Sequence, residues 1–311
     1  MNRRTLLTAG TVTATALTVS NITTAQATGG GRVRENLRMP SRVLGTDTLY
    51  SVYLPPGHNP RSSRTYPVLY LLHGATGENT EWLRTGNAKE ILDRAIARRR
   101  IPPVVVVMPD GRPDVSKPSI EQALGYYMNS ADGTFRWADM FVQELVPFVE
   151  GEYRAGGSKA RRGIGGLSMG GFGALSFAMR HPDLFTASFG LSAGHRTDAQ
   201  HVALDMAGYN WRFGRSYGFD LAGEARLNDA YRYWNLLDTI KRVPAADLSR
   251  TAWYLDCGSY DEFFEANVGL HLELTRKQVE HRFMAREGIH EWQYWIDGLP
   301  GALEFLADNL G

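Results

Sequence analysis

The fold is decided by the segment Arg162-Gly163-Ile164-Gly165-Gly166-Leu167-Ser168-Met169-Gly170-Gly171. It contains Gly166-x-Ser168-x-Gly170, a pattern typical of a serine on a sharp turn between a strand and a helix. The backbone of such a serine is strained, so small neighbours are needed where larger side chains would collide with the turn. Because the pattern alone is common, its interpretation depends on its surroundings. A strand should precede it, a helix should follow it, and an acid and then a histidine should come later.

The composition is that of a soluble globular enzyme. The chain has 311 residues, of which 43% are hydrophobic and 22% charged, and this length allows one large α/β domain or two smaller ones. The formal net charge is only +1. A charge this small argues against binding to nucleic acid or to an acidic membrane surface, so we expect no nucleic-acid partner.

The N-terminal segment has the features of a targeting sequence. Arg3-Arg4 is followed by an apolar run from 6 to 19, and Ala25-Gln26-Ala27 fits a signal-peptidase site. We predict that residues 1–27 are a signal peptide and that the paired arginines direct the protein to the twin-arginine export route, so that it is secreted. A retained membrane anchor is the alternative. The run is short and rich in threonine for a bilayer span, so we expect no stable membrane insertion after processing.

The mature chain is predicted to form one domain. Residues 28–36, which include three consecutive glycines, are expected to be a flexible lead. Residues 37–311 contain no convincing internal linker. Cys257 is the single cysteine, which excludes an intrachain disulfide, and we interpret it as a small buried core residue.

Strand and helix patterns alternate along residues 37–311. Apolar runs predict strands at 41–44, 49–54, 67–72, 103–108, 162–167, 186–191, 252–257 and about 282–286. Helices are predicted at 81–98, 137–153, 170–179, about 262–279 and 299–310. Such alternation indicates parallel β-α-β units. The expected fold class is therefore α/β, with a mostly parallel central sheet and helices on both faces.

The alternation is broken between residues 195 and 244. This stretch is rich in aromatic residues, glycine and charge. We interpret it as an insertion, and the sequence leaves two structures open for it. It could form a substrate-binding flap over the active-site side, or a helical excursion packed on the edge of the sheet.

Three residues have the types and the chain order needed for nucleophilic catalysis. A serine needs a base to remove its proton, and the base must be oriented by a third group. Ser168 fits the nucleophile, and His290 is the one histidine in a glycine-flanked loop after the final predicted strand. Asp261, just beyond the end of a strand, is the favoured acid, with the adjacent Glu262 next. Asp256 lies inside the strand pattern, and Asp261 could instead cap a helix.

An oxyanion site needs two backbone N–H groups that point at the developing charge. One is expected from Met169, directly after the nucleophile, and the other from Ala75 in the glycine-containing loop after an earlier strand. His73 lies in the same loop and is a candidate for contact with substrate.

The same segments carry a family resemblance. The matching pieces are Tyr53-Leu54-Pro55, Tyr70-Leu71-Leu72-His73-Gly74, Glu144-Leu145-Val146-Pro147, Gly166-Leu167-Ser168-Met169-Gly170-Gly171, Cys257-Gly258 and Gly288-Ile289-His290-Glu291-Trp292. In this order the chain resembles the putative-esterase (esterase-D-like) family of α/β-hydrolases, which includes S-formylglutathione hydrolases, feruloyl esterases and secreted mycolyltransferases. The resemblance implies an α/β-hydrolase fold. It implies the catalytic triad Ser168, Asp261 and His290, and oxyanion donors at Ala75 and Met169.

The features that separate the subfamilies are mixed. The aromatic residues that follow His290, beginning with Trp292, resemble those of the mycolyltransferases and make Trp292 a candidate for substrate binding. Those proteins usually carry an aspartate where this chain has His73, and an arginine close after the oxyanion loop, where Thr76 stands here. Histidine-glycine at that point is more usual in the hydrolytic esterases.

The expected function is that of a secreted serine esterase, which hydrolyses a carboxylic ester through an acyl-enzyme on Ser168. The alternatives are an acyltransferase of the mycolyltransferase type, which passes the acyl group to a sugar or alcohol hydroxyl, and a non-catalytic binding protein with the hydrolase fold. The sequence shows no metal-ligand spacing and no phosphate-binding loop, so we expect no metal and no cofactor. The expected partner is a small-molecule or glycosidic ester, and the oligomeric state stays open.

Overall fold

A computed structural model describes residues 29–311, and the predicted signal peptide at 1–27 lies outside the described residues. Eight strands of this part form one sheet, in the order β1-β2-β4-β3-β5-β6-β7-β8. The strands are β1 (Arg32–Ser41), β2 (Thr46–Leu54), β3 (Val68–Leu72), β4 (Val105–Pro109), β5 (Arg162–Leu167), β6 (Ala187–Leu191), β7 (Ala252–Gly258) and β8 (His281–Arg286). From β4 to β8 all neighbouring strands are parallel, whereas β1 and β2 pair antiparallel at one edge.

The edge strand β1 corrects the prediction of a flexible lead at 28–36. Arg32 already pairs with Leu54 of β2, so much of that segment belongs to the sheet. The strand predicted at 41–44 is instead the end of β1 and the turn after it. Most side chains of β1 are exposed. An edge strand of this kind has no apolar run, and the sequence pattern therefore missed it.

Thirteen α-helices lie among residues 29–311. They are α1 (Glu81–Arg84), α2 (Ala88–Ala97), α3 (Trp137–Met140), α4 (Val146–Tyr153), α5 (Met169–Arg180), α6 (Asp198–Val202), α7 (Met206–Tyr209), α8 (Arg215–Tyr217), α9 (Asp229–Trp234), α10 (Leu236–Arg242), α11 (Ala245–Leu248), α12 (Phe264–Arg276) and α13 (Trp292–Asp308). A π-helical turn, Phe141–Leu145, joins α3 to α4, and a second one, Asn210–Gly214, joins α7 to α8. None of the helices between residues 29 and 311 is long and apolar enough to cross a membrane.

Alternate side chains of β3 enter two different cores, which confirms that both faces of the sheet are covered. Tyr70 and Leu72 point into a core with α3, α4, α5, α12 and the inserted helices. Leu69 and Leu71 point into a second core with α2 and α13. A strand buried on both faces needs an uninterrupted apolar sequence, and β3 and β4 have one.

The insertion at 195–244 is helical, and it contributes α6 to α10 between β6 and β7. Its last long helix, α10, packs against α5 and α12. Part of the insertion also reaches the pocket described below. The insertion is a helical excursion, but its helix α10 packs on α5 and α12 rather than on the edge of the sheet, and a role as a substrate-binding flap stays a prediction.

The last helix begins seven residues earlier than predicted, at Trp292 rather than at residue 299. Gly298, Pro300 and Gly301 lie inside it, and these residue types normally indicate a helix end. The apolar face that α13 buries against the sheet, including Leu299 and Leu303, outweighs those local preferences.

Candidate active site

Ser168 occupies a strained turn between β5 and α5. Its backbone angles are φ 52° and ψ −121°, a conformation that L-residues rarely adopt. Ser168 N donates to Leu191 O at 2.9 Å, and Gly194 N donates to Ser168 O at 2.7 Å, which hold the turn. A Cβ atom at Gly166 would lie 2.6 Å from Leu72 O, and one at Gly170 would lie 2.2 Å from it. Both flanking glycines are therefore required by close backbone contact.

A chain of two hydrogen bonds links the three residues that sequence analysis selected. His290 Nδ1 lies 2.9 Å from Asp261 Oδ2, and His290 Nε2 lies 2.8 Å from Ser168 Oγ. An ionised carboxylate can only accept, so Nδ1 carries the proton. Nε2 is then an acceptor, and the Ser168 hydroxyl donates to it. This is the protonation state in which an imidazole can remove a proton from the serine.

The Asp261 carboxylate is buried but well supplied with donors. Burial alone would raise its pKa, but hydrogen bonds from His290 and from the backbone N–H of Phe263 hold the pKa below the ordinary value. The imidazole of His290 lies between two aromatic rings, with centroid separations of 4.9 Å to Phe263 and 4.8 Å to Trp295. Asp261 therefore stays charged, and the rings restrict the orientation of the imidazole.

Neither of the other two candidate acids reaches His290. Asp256 is fully buried, and it pairs with Arg286 instead, with Nη2 3.0 Å from Oδ2. Glu262 points the other way and pairs with Arg196 at 2.8 Å. The geometry thus selects Asp261 among the three acids.

Two backbone N–H groups beside Ser168 are free to bind an oxyanion. Ala75 follows β3 and lines the same pocket as Ser168, and Met169 is the first residue of α5. Within the described chain neither amide donates a hydrogen bond to another residue. The carboxyl ends of β3, β5, β7 and β8 lie at one edge of the sheet, and this edge brings the two amides and the three side chains together.

A pocket of about 370 Å³ opens over Ser168 and His290. Its aromatic walls are formed by Tyr126, Trp211, Phe263, Trp292 and Trp295. Trp292 therefore lines the pocket, and its contact with substrate stays a prediction. Trp211 and its neighbour Arg212 come from the insertion and were not singled out from the sequence. The only signal for them there was the aromatic content of residues 195–244.

The prediction that His73 contacts substrate is wrong. Its side chain is 1% exposed and lies behind the loop that carries Ala75. Nε2 accepts a hydrogen bond from Gly111 N at 2.9 Å, so Nδ1 carries the proton and donates to Gly74 O at 2.8 Å. Burial lowers the pKa of His73, although the nearby Asp110 opposes this. A neutral His73 therefore links the loop that carries Ala75 to the loop after β4 through these two hydrogen bonds.

Comparison with known proteins identifies the family. The profile of the family described as "Putative esterase" matches residues 41–306, which is most of the chain. The chain belongs to this family. It is thereby a member of a family of carboxylic-ester hydrolases with the α/β-hydrolase fold.

Individual relatives agree with this assignment. Esterase Rv1288 of Mycobacterium tuberculosis (strain ATCC 25618 / H37Rv) is 30% identical over 206 residues, which cover 61% of this chain and 40% of the relative. The chain thus spans less than half of that relative's length. An acetyl esterase of Caldicellulosiruptor saccharolyticus is 24% identical over 253 residues, which cover 79% of this chain and 85% of the relative.

Solved structures show the same architecture. A ferulic acid esterase superimposes with a TM-score of 0.74 at 28% identity, covering 91% of this chain and 99% of that one. An S-formylglutathione hydrolase of Staphylococcus aureus superimposes with a TM-score of 0.68 at 18% identity, covering 89% of this chain and 99% of that one. The second likeness concerns the fold alone.

Proposed function

We propose that this esterase-family domain is a serine esterase that hydrolyses a carboxylic ester through an acyl-enzyme on Ser168. The observation that supports the proposal most directly is the pair of hydrogen bonds from Ser168 to His290 and from His290 to Asp261, at 2.8 and 2.9 Å. A serine hydroxyl has to lose its proton to attack a carbonyl, and this arrangement supplies both the base and its orienting carboxylate.

Acylation begins when Ser168 Oγ attacks the carbonyl carbon of the ester. Its proton moves to His290 Nε2, and the resulting imidazolium is stabilised by Asp261. The carbonyl oxygen becomes an oxyanion, to which the N–H groups of Ala75 and Met169 donate. When the tetrahedral intermediate collapses, the ester C–O bond breaks, and the alcohol leaves with the proton from His290.

Deacylation repeats these steps with water as the nucleophile. His290 takes a proton from the water, which attacks the acyl carbon of the acyl-enzyme. Collapse breaks the bond to Ser168 Oγ, and His290 returns its proton to that oxygen. The carboxylic acid is released and the serine is restored.

We further propose that the acyl group is aromatic. The aromatic walls of the pocket, with Trp292 and Trp295 on α13 and Trp211 on the insertion, suit a planar ring. The names of two similar proteins also support an aromatic acyl group. They are the structurally similar ferulic acid esterase and an endo-1,4-beta-xylanase/feruloyl esterase of Xylanibacter ruminicola, which is 31% identical over 157 residues.

The test combines labelling and product analysis. We expect a fluorophosphonate probe to label the wild-type protein and not Ser168→Ala, which should keep its circular dichroism spectrum and lose turnover of p-nitrophenyl acetate. A folded Ser168→Ala variant with kcat within tenfold of the wild type would contradict the proposal. If an added polyol captures the acyl group faster than water does, the enzyme is an acyltransferase rather than a hydrolase.

A further inference from the structure

The insertion places one arginine in the wall of the Ser168 pocket. Trp211 and Arg212 lie in the π-helical turn Asn210–Gly214 and both line the pocket. π-Helical turns are rare, and they occur frequently at functional sites. Arg212 is the one lysine or arginine among the described residues that line this pocket.

The Arg212 side chain is held in place before any ligand arrives. Its Nη1 donates to Gly208 O at 3.3 Å, and its guanidinium carbon lies 4.8 Å from the centre of the Trp211 ring. The Trp211 indole is itself fixed, because Nε1 donates to Ser119 O at 3.1 Å and the backbone carbonyl accepts from Leu124 N at 2.8 Å. The guanidinium therefore packs against an indole whose own position is fixed by two hydrogen bonds.

The charge of Arg212 is not balanced by an ion pair in the described part of the chain. Glu262, a carboxylate in the same pocket wall, pairs with Arg196 at 2.8 Å. Among residues 29–311 Arg212 donates a hydrogen bond through Nη1 alone, so Nε and Nη2 have N–H donors left for a ligand. A half-buried guanidinium beside an aromatic pocket is suited to an oxygen acceptor on a bound molecule.

We infer that Arg212 determines specificity by donating a hydrogen bond to an oxygen substituent on the aromatic ring of the acyl group. This inference rests on the proposed esterase activity. In the bound ester the carbonyl carbon lies at Ser168 and the ring lies between the aromatic walls. Because Arg212 lines the same pocket as Ser168, we place an oxygen substituent of the ring against its guanidinium. An unsubstituted ring offers Arg212 no acceptor, so the guanidinium stays hydrated and adds nothing to the binding of that ester.

The experiment compares two esters that differ by one oxygen, methyl 4-hydroxycinnamate and methyl cinnamate, on wild type and Arg212→Met. We expect the variant to lose roughly tenfold in kcat/KM on the hydroxylated ester, as for the loss of one charge-assisted hydrogen bond. On methyl cinnamate and on p-nitrophenyl acetate, whose acyl groups carry no ring oxygen for Arg212 to bind, the variant should lose much less kcat/KM than on the hydroxylated ester. Arg98→Met, an exposed arginine after α2, is the matched control and should change none of the three rates.

Three outcomes overturn the inference. In the first outcome, Arg212→Met lowers kcat/KM equally on both cinnamates, and in the second it lowers kcat/KM on neither. In the third outcome, the wild type hydrolyses p-nitrophenyl acetate but neither cinnamate, and the proposed acyl class is then wrong as well. Failure of the esterase proposal is distinct, since the wild type would then hydrolyse none of the esters and Ser168 would not react with the fluorophosphonate probe.

Discussion

Arg286 and Asp256 form an ion pair beneath the loop that carries His290, with Nη2 3.0 Å from Oδ2. Arg286 ends β8, Asp256 lies on the neighbouring β7, and His290 follows four residues after Arg286. Tyr294 on α13 completes the group, since its hydroxyl donates to Asp256 and its carbonyl accepts from Arg286 Nη2 at 3.0 Å. The ion pair thus ties both ends of the His290 loop to the sheet.

We expect Arg286→Met to lower the free energy of unfolding by about 3 kcal/mol, because it leaves a buried carboxylate without its partner. Urea unfolding followed by tryptophan fluorescence measures the change. Arg84→Met is the matched control, since Arg84 and Glu35 form a largely exposed ion pair that contributes no more than about 1 kcal/mol. Equal losses in the two variants would show that the Asp256 pair does not stabilise the fold.

We expect Asp261→Asn to lower kcat by about 10³- to 10⁴-fold, since an amide neither holds the required imidazole tautomer nor stabilises the imidazolium. Glu262→Gln is the control, because that side chain points to Arg196, and it should stay within tenfold of the wild type. Steady-state hydrolysis of p-nitrophenyl acetate by folded variants measures both. A larger loss in Glu262→Gln would show that Asp261 is not the acid.

His201 should make the fold sensitive to acid. It is 1% exposed among aromatic side chains of the insertion, and its Nε2 has no hydrogen-bond partner in the described structure. Burial, aided by Arg196 and Arg226, lowers its pKa to about 3. The pKa of His201 in the folded state therefore lies below its unfolded value of about 6.5. The stability that the neutral His201 gives the fold is complete above pH 6.5 and is lost as the pH falls toward 3.

We therefore expect His201→Phe to reduce the loss of stability between pH 7 and pH 5 by about 2 kcal/mol. Urea unfolding at the two pH values measures it. Burial lowers the pKa of His195 to about 4, so His195 should still cause part of the loss of stability at low pH in the variant. An identical pH dependence in wild type and His201→Phe would mean that His201 is not held neutral by the fold.

We propose, from the sequence of residues 1–27, that the protein is exported by the twin-arginine route. The double substitution Arg3→Lys, Arg4→Lys should leave the precursor inside a host that has this pathway, because the pathway reads the paired arginines. Cell fractionation and mass spectrometry of the N-terminus measure the result, with a start at Thr28 expected for the wild type. Normal export of the double variant, with Arg32→Lys as control, would argue for another route.

Much of the fold could be predicted because its central strands are recognisable from their apolar sequences alone. β3 and β4 are buried on both faces and appear as unbroken apolar runs. Ser168 was recognisable because only glycine fits at 166 and 170. Two elements were missed for the opposite reason. β1 is a mostly exposed edge strand without an apolar run. The start of α13 was missed because Gly298, Pro300 and Gly301 normally indicate a helix end, whereas here the packing of α13 against the sheet outweighs that preference.

The sequence by itself determined the order of the central strands and of the helices between them, the turn at Ser168, and the identity of its histidine and of its favoured acid. These features depend on local backbone requirements and on chain order. Only the tertiary structure decided which acid faces His290, that His73 lies behind the oxyanion loop, and that Trp211 and Arg212 reach the pocket. Each of these depends on the direction of a side chain across elements that lie far apart in the chain, and that direction is set by packing.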